Sequence, residues 1–259
     1  MTALKLDVRY YHLPQISRVT ETDFQHNTLH WTLPIDEIAL VMVDVWSDHY
    51  VTSHLQRGRD ITLECIRPVL EAFRKIGAAV IHAPSPACAK KYPQWTQFAG
   101  DNEVKSAPAK GQDDWPPAEF RSKSGKYEKW TRPKEPKDQV FEDIIENRRI
   151  IPEVEPRDGD FVIVNGDQLH RLLSHRKILH LFYAGFAANM CVPFRDYGTR
   201  AMHNRGYEII LIRDCTSAIE VADTAEDLML SRAAVVDTEL NIGYTVSSSD
   251  LVAACEKRA

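Results

Sequence analysis

Short apolar runs alternate along the chain with longer stretches in which apolar residues recur every three or four positions. The runs are typical of strands buried on both faces of a sheet, and the longer stretches predict amphipathic helices. Strands are predicted at 38–43, 78–81, 160–164, 178–184 and 208–212, with 244–246 at the edge of the sheet, and helices at 60–77, 140–146, 169–175, 191–204, 224–236 and 250–257. This alternation predicts an α/β fold of three layers (α/β/α, Rossmann-like), with a mostly parallel sheet of about six strands and helices on both faces.

Two segments depart from this pattern. Residues 1–36 are mixed and polar, and we interpret them as an N-terminal arm that packs on the body or on a neighbouring subunit. Residues 37–259 then form one domain, with a long insertion at about 84–139 that contains eight prolines and three tryptophans. A connection of this length is usually a lid or an oligomer contact. Between 105 and 137, nine Lys/Arg against five Asp/Glu give a local charge of +4 (9 − 5), which either steers an anionic substrate or marks a solvated loop.

Composition narrows the classes of function. The chain has 259 residues, 44% of them apolar, and 32 Lys+Arg against 37 Asp+Glu, a balance that does not favour nucleic acid. No apolar run approaches the roughly 18 residues of a membrane span, and the N-terminus lacks the apolar segment of a signal peptide. The five cysteines form no CxxC pair, which favours reduced thiols over a zinc ribbon or a disulfide scaffold. We therefore expect a cytoplasmic protein with a small-molecule substrate, without nucleic-acid or membrane partners.

Cys191 lies where a buried strand ends and a helix begins. Pro193 fits only a first helical turn, so the helix starts at about this cysteine. Unpaired backbone N–H groups and the helix dipole would both lower the pKa of a thiol there. These effects predict a thiolate nucleophile; the alternative is a small buried hydrophobic residue.

Polar residues follow the neighbouring strands. Asp44 comes directly after the first strand and His82 ends the second, at the sheet edge where open α/β sheets bind ligands. Asp44 is either a catalytic carboxylate or a turn residue, and His82 is either catalytic or a hydrogen-bonded structural residue. Trp46 and His49 add aromatic surface and a second titratable group close to Asp44, and the third strand ends at Asn165.

The strand ending in Asp44, the strand ending in His82, and the segment GFAANMCV leading into a helix resemble the isochorismatase-like cysteine hydrolases. This family includes nicotinamidases, N-carbamoyl amidohydrolases and ureidoacrylate hydrolases. Its pattern around the nucleophile is matched by Gly185, Asn189, Cys191 and Val192, whereas Ala188 stands where the family has threonine. The resemblance extends over 38–246 in the order of the elements.

The resemblance implies a role for each matching residue. Cys191 would attack a carbonyl carbon and form a thioester, and Asp44 would be the general base. The backbone N–H groups of Ala187 and Cys191 would form the oxyanion hole, and the peptide bond between Phe186 and Ala187 would be cis. Further pocket candidates are Trp46, His82, Asn165 and Asn189.

The chain departs from the family at its third catalytic residue, a lysine. Asn165 stands at that point, and an amide can orient a carboxylate or a carbonyl but carries no charge. Either a lysine of the insertion enters the site, or the hydrolytic chemistry is weakened. The insertion offers three lysines for this role, Lys123, Lys126 and Lys129. The segment after the second strand, PSPACAKKYPQW, lacks the His and Asp cluster of metal-binding relatives, so we expect neither a catalytic metal nor a cofactor.

The leading hypothesis is a cysteine hydrolase that cleaves a C–N bond of a small amide or carbamoyl compound through a thioester. One alternative is a catalytically weak family member that binds a small ligand or a partner, because the lysine is absent. Another is a vinyl-ether hydrolase, which would need that lysine more than the cysteine. The absence of GxGxxG and GxSxG argues against dinucleotide binding and a serine hydrolase. We also expect a homo-oligomer, a dimer or a tetramer, because the arm and the Trp-rich insertion supply apolar surface.

Overall fold

The computed structural model describes residues 3–14, 17–98, 115–133 and 139–257. The rest of the predicted insertion, 99–114 and 134–138, lies outside the described residues. The strands are β1 (Ala3–His12), β2 (Gln25–Pro34), β3 (Ile38–Val43), β4 (Ala79–Ala83), β5 (Phe161–Val162), β6 (His180–Phe186), β7 (Glu208–Ser217) and β8 (Tyr244–Val246). The helices are α1 (Thr52–Ile61), α2 (Arg67–Ile76), α3 (Pro86–Ala89), α4 (Ala118–Arg121), α5 (Gln139–Asn147), α6 (Gly166–Arg176), α7 (Cys191–Phe194), α8 (Thr199–Asn204), α9 (Met229–Asn241) and α10 (Ser248–Glu256).

All eight strands form one sheet in the order β2-β1-β8-β7-β6-β3-β4-β5. The six strands from β3 to β8 are parallel, which confirms the predicted α/β class and the mostly parallel sheet. The expected number of strands was wrong, because β1 and β2 add an antiparallel pair at one side. None of the helices in the described ranges has both the length and the apolar composition needed to cross a membrane.

The two additional strands come from the segment that we predicted as an arm. β1 pairs with β8 through Arg9 and Thr245, so β8 is not the edge strand that the sequence suggested. The side chains of Leu4, Leu6 and Val8 alternate into the core, as expected for a strand with one buried face. This alternation is the signal in the sequence that predicts β1.

The core lies on both faces of the sheet, as β3 illustrates. Its residues at 38, 40 and 42 pack with α2 and α10, whereas those at 39, 41 and 43 pack with α6 and α8. Every residue of β3 is therefore buried, which explains why this strand is a continuous apolar run. The same burial fixes the position of the residue that follows the strand, Asp44.

The first long helix begins earlier than predicted. α1 starts at Thr52 rather than at 60, and a π-helical segment, Thr62–Ile66, joins it to α2. This wider segment lies just before Pro68, which lacks the N–H that a continuous α-helix would use. A Cβ atom added at Gly58 of α1 would lie 3.6 Å from the ring of Phe186. α1 therefore packs close to the end of β6.

The helix predicted after Cys191 is broken into α7 and α8. Arg195 adopts an extended conformation after a single turn, and Gly198 precedes α8. The loop between them passes over Gly166, where a Cβ would lie 2.1 Å from the carbonyl oxygen of Asp196. The break turns the chain back toward the carboxyl end of the sheet, so the expectation of one helix to about 204 was wrong.

Candidate active site

Two central strands, β3 and β6, approach each other closely where the site begins. At Gly185 the backbone has φ +113°, and a Cβ there would lie 1.9 Å from the carbonyl oxygen of Val43. Both features require glycine. The positive φ is rarely adopted by residues with a side chain, and a Cβ would push the two strands apart. Asp44 follows Val43 with φ 49°, in the left-handed region that aspartate tolerates better than most residues. Its carboxylate is 1% exposed, under the loop that carries Cys191.

Asp44, Cys191 and Arg195 form the centre of the site. An N–H of the Arg195 guanidinium (Nη2) donates to Oδ2 of Asp44 over 3.3 Å. The Cys191 thiol faces the same carboxylate, close enough for hydrogen bonding and charge to shift the pKa of both groups. The other oxygen, Oδ1, is buried and accepts no hydrogen bond of good geometry from any described residue. That oxygen is therefore available to accept a proton.

The electrostatics of this centre determine which group carries the charge. Burial raises the pKa of Asp44, while Arg195 and the thiol act in the opposite direction. Burial and the negative charge of Asp44 raise the pKa of Cys191 to about 11, against the effect of Arg195. At neutral pH the thiol is therefore protonated, and the Arg195 charge beside Asp44 favours the carboxylate form of that residue against the effect of its burial.

The expectation that the helix terminus lowers the pKa of Cys191 was wrong. α7 is a single turn of four residues, so its dipole is small. The thiol is also largely buried against a carboxylate, and both conditions favour its neutral form. Cys191 therefore needs a base, and Asp44 lies beside it.

The backbone around the thiol has two free donors. The peptide bond between Phe186 and Ala187 is cis, which confirms the expectation drawn from the resemblance. The N–H of Ala188 donates to Ser217 and that of Val192 to the carbonyl of Ala187. In the described part of the chain, the N–H groups of Ala187 and Cys191 donate no hydrogen bond. They can therefore bind an oxygen atom of a ligand.

None of the three lysines proposed from the insertion contacts Asp44. Their ammonium groups lie over neighbouring aromatic rings, at 3.3 Å for Lys123 and Phe120, 5.0 Å for Lys126 and Tyr127, and 4.6 Å for Lys129 and Trp130. The cation beside Asp44 is instead Arg195, which the sequence analysis missed. Its signal was the spacing of four residues from Cys191, about one helical turn. The prediction overlooked it because only lysines, and no arginines, were considered for this position.

The other pocket candidates have structural contacts. The side-chain oxygen of Asn165 accepts from the N–H of Gln168 and caps α6. His82 hydrogen-bonds to Asp160 over 3.2 Å, in a buried cluster with Arg74. Both side chains are buried. Among the described residues, no group of three or more His, Cys, Asp or Glu side chains is arranged to hold a metal ion.

Asn189 lies in the loop that leads to Cys191. Its side chain exchanges two hydrogen bonds of 3.1 Å with the backbone of Ile219, which follows β7. This contact holds the loop between β6 and α7 against the neighbouring strand. It fixes the position of the N–H groups at Ala187 and Cys191.

A narrow cleft beside Asp44 is lined by aromatic and histidine side chains. Trp46, His49, His54 and Phe186 form its walls. Burial lowers the pKa of His49, and burial together with His49 and Arg57 lowers the pKa of His54 to about 4, so both rings are neutral at pH 7. Nδ1 of His54 is buried without a hydrogen-bond partner among the described residues. The sequence analysis noted Trp46 and His49 here, but not His54.

A second arginine lies against this cleft. Arg148 is only 8% exposed, and its guanidinium lies 3.4 Å from the centre of the Trp46 ring. An antiparallel bridge between Trp46 and Ile150 holds the two segments together. Arg148 acts electrostatically on both Asp44 and Cys191, which places its charge within the site. The sequence analysis missed it, because its position depends on this long-range bridge.

Comparisons with known proteins show the family of the chain and its fold. A family model described as the Isochorismatase domain matches residues 38–240. A cysteine hydrolase from Pseudomonas syringae pv. phaseolicola shares 14% identity and the fold, with 88% of this chain and 97% of that chain covered and a TM-score of 0.57. An isochorismatase family protein from Burkholderia thailandensis has 16% identity, coverage of 85% and 96%, and a TM-score of 0.49. An isochorismatase from Pseudomonas putida has 18% identity, coverage of 83% and 90%, and a TM-score of 0.48. No curated protein matches the chain.

Proposed function

The chain belongs to the isochorismatase family of hydrolases, and from this premise we propose that it cleaves a C–N bond with Cys191 as the nucleophile. The substrate is a small amide or carbamoyl compound, and the intermediate is a thioester. The observation that carries the proposal is the neutral Cys191 thiol beside a buried Asp44 carboxylate that Arg195 holds in place.

The first half of the reaction forms the thioester. The sulfur of Cys191 attacks the substrate carbonyl carbon while the thiol proton passes to Asp44. The negative charge that develops on the carbonyl oxygen is stabilised by the free N–H groups of Ala187 and Cys191. Asp44 then gives the proton to the leaving nitrogen, and the C–N bond breaks. The amine or ammonia leaves, and the acyl group stays on the sulfur.

The second half hydrolyses the thioester. Asp44, again a carboxylate, takes a proton from a water molecule while the oxygen of that water attacks the thioester carbon. The tetrahedral intermediate uses the same two N–H donors. When it collapses, the C–S bond breaks, the acid product leaves, and Asp44 returns the proton to the sulfur. Arg195 carries no proton in this scheme; it is a positioning residue that keeps Asp44 ionised and oriented.

The alternative of a weak ligand-binding member was based on the missing lysine. Arg195 supplies a positive charge in contact with Asp44, which supports the hydrolase proposal over that alternative. We further propose that residues 37–259 form the catalytic domain with its insertion at about 84–139, and that the protein acts in the cytoplasm as a homo-oligomer. No cofactor takes part in the proposed scheme.

The proposal is tested by trapping the intermediate. The wild-type protein is incubated with a panel of small primary amides and carbamoyl compounds, quenched in acid, and analysed by peptide mass spectrometry, while ammonia release is measured in parallel. We expect an acyl adduct on Cys191 and complete loss of turnover in Cys191→Ala. Cys65→Ala is the matched control, because Cys65 is also a partly exposed free thiol, and it should keep wild-type turnover. Turnover that persists in Cys191→Ala would overturn the proposal.

A further inference from the structure

Arg148 is a buried cation without a salt bridge to any described residue. Its contacts in this part of the chain are the stacking on Trp46, a hydrogen bond of 3.4 Å from Nη2 to the hydroxyl of Ser85, and electrostatic interactions across the site. Its Nε is buried and has no hydrogen-bond partner among the described residues. Burying a guanidinium with unused donors is costly, and buried charges in proteins are normally paired. An unpaired one at an active site indicates that its partner is a ligand.

The charges of the site leave an excess of at least one positive. Arg195 and Arg148 contribute two positive charges, Asp44 contributes at most one negative charge, and the thiol is neutral, so the sum is at least +1 (2 − 1). The histidines of the cleft do not change this sum at pH 7, because burial lowers their pKa values. Arg195 already forms the ion pair with Asp44, whereas Arg148 does not. The positive charge of Arg148 is therefore available to pair with a negatively charged group of a substrate.

We propose that Arg148 binds a carboxylate of the substrate, so that the enzyme acts on small amides or carbamoyl compounds that carry a carboxylate a few atoms from the scissile bond. This inference rests on the proposed function, since it assigns the substrate class of the same site. A guanidinium offers parallel N–H donors that match the two oxygens of a carboxylate. Stacking on Trp46 holds its plane, which lowers the entropy lost on binding.

The position of Arg148 is fixed from both sides. The backbone of its segment pairs with the segment after β3, through Ile151 N–H to the carbonyl of Val45 (3.1 Å) and Ser47 N–H to the carbonyl of Arg149 (2.8 Å). The ammonium of Lys91 donates to the carbonyl of Arg148 over 3.1 Å. The guanidinium is thus held at a constant distance from the carboxylate and the thiol, as a substrate-binding residue requires.

One experiment uses two alkylating reagents that differ in charge. Iodoacetate and iodoacetamide are nearly the same size and alkylate the same sulfur. The rate with iodoacetate divided by the rate with iodoacetamide therefore measures how strongly the site attracts a carboxylate. We expect the ratio, relative to that for a free small thiol, to be about 10- to 100-fold higher in the wild type than in Arg148→Gln. Arg149→Gln is the matched control, because it removes an equal charge from the neighbouring, half-exposed residue and should leave the ratio unchanged.

A second experiment does not depend on the reactivity of Cys191. In a Cys191→Ala background, calorimetry compares the binding of oxamate, malonamate, succinamate and N-carbamoylglycine with that of their neutral amide analogues. We expect a carboxylate of this panel to bind, and to bind about 10- to 100-fold more weakly after Arg148→Gln, with a smaller loss after Arg148→Lys. Thermal denaturation confirms that each variant is folded.

The two experiments separate this inference from the proposed function. If no carboxylate of the panel binds better than its neutral analogue, or if Arg148→Gln leaves both binding and the alkylation ratio unchanged, Arg148 does not bind a carboxylate. Cys191 could still form an acyl adduct with neutral amides in that case, and the proposed function would stand. If carboxylates bind through Arg148 but no compound is turned over and no adduct forms, the inference holds and the proposed chemistry fails.

Discussion

Arg195 donates to Asp44 over 3.3 Å, although the two residues follow different strands and are far apart along the chain. Arg195 comes from the same segment as Cys191, one turn after it. A single segment therefore supplies the thiol, the free backbone donors and the cation that pairs with Asp44. A displacement of this segment would disturb all three at once, so the pKa values of Asp44 and Cys191 report on its position.

The first prediction concerns the effect of Asp44 on the thiol. In Asp44→Asn, the pKa of Cys191 should fall from about 11 by about one unit or more, because the neighbouring negative charge is gone. Turnover should fall by about 10² to 10⁴, the usual contribution of a general base. The rate of Cys191 alkylation between pH 7 and 11, followed by mass spectrometry, measures the pKa. Asp48→Asn, four residues further along, is the control; a thiol pKa that rises in Asp44→Asn would contradict the assignment.

A second prediction concerns the pH dependence of activity. The Arg195 charge opposes the rise in the pKa of Asp44, and the proposed reaction needs Asp44 as a carboxylate. In Arg195→Gln, Asp44 should bind its proton at higher pH, so the acid limb of kcat/KM should move to higher pH. In Arg195→Lys the acid limb should stay close to its wild-type position, because a positive charge is kept beside Asp44. Arg200→Gln removes an arginine that pairs with Asp237, and its profile should match that of the wild type.

His54 provides a prediction about stability. Its pKa is about 4 in the folded protein and about 6.5 in the unfolded chain, so between these values the unfolded chain binds a proton that the folded protein excludes. The free energy of unfolding should therefore decrease as the pH falls from 6.5 to 4, by about 3 kcal/mol in total. In His54→Gln this part of the pH dependence should disappear. Urea denaturation at several pH values measures it, with His203→Gln at an exposed site as the control; equal slopes in wild type and His54→Gln would refute the prediction.

The last prediction is the oligomeric state. Trp115 and Trp130 of the insertion are 76% and 59% exposed in the single chain, more than large aromatic residues usually are on a monomer. We expect light scattering at micromolar concentration to give at least twice the 29.6 kDa mass of one chain. Trp130→Ser should lower the association constant, whereas an exposed residue away from the insertion, such as Leu179→Ser, should not. A mass equal to that of one chain would contradict the prediction.

The sheet could be predicted because its central strands are buried on both faces. A run such as 38–43 has no polar position, and the residue that ends it is visible in the sequence. The same reasoning missed the pairing of β1 with β2, since most residues of β2 are exposed and only part of β1 faces the core. Such strands have mixed composition, and only the weak alternation of Leu4, Leu6 and Val8 distinguishes β1 from a loop.

The site could be predicted in part. Asp44 and Cys191 lie at strand ends, where local sequence and the resemblance agree. Arg195 and Arg148 were missed for different physical reasons. Arg195 reaches Asp44 because the helix after the thiol breaks after one turn, whereas the apolar spacing predicted one continuous helix. Arg148 reaches the cleft through a bridge between distant segments, and no local pattern encodes such a contact.

The bridge at Trp46 has a consequence for how the protein can diversify. Lys91, near the start of the insertion, donates to the carbonyl groups of Glu146 and Arg148, which follow the end of the insertion, so its two ends lie close together. The closure cost of a flexible loop with fixed ends grows slowly, by about 0.6 kcal/mol for each doubling of its length. Residues can therefore be added or deleted between those ends while the arginine of the cleft keeps its place. The length and sequence of the segment between those ends could therefore change among descendants of one gene while Arg148 stays beside Trp46.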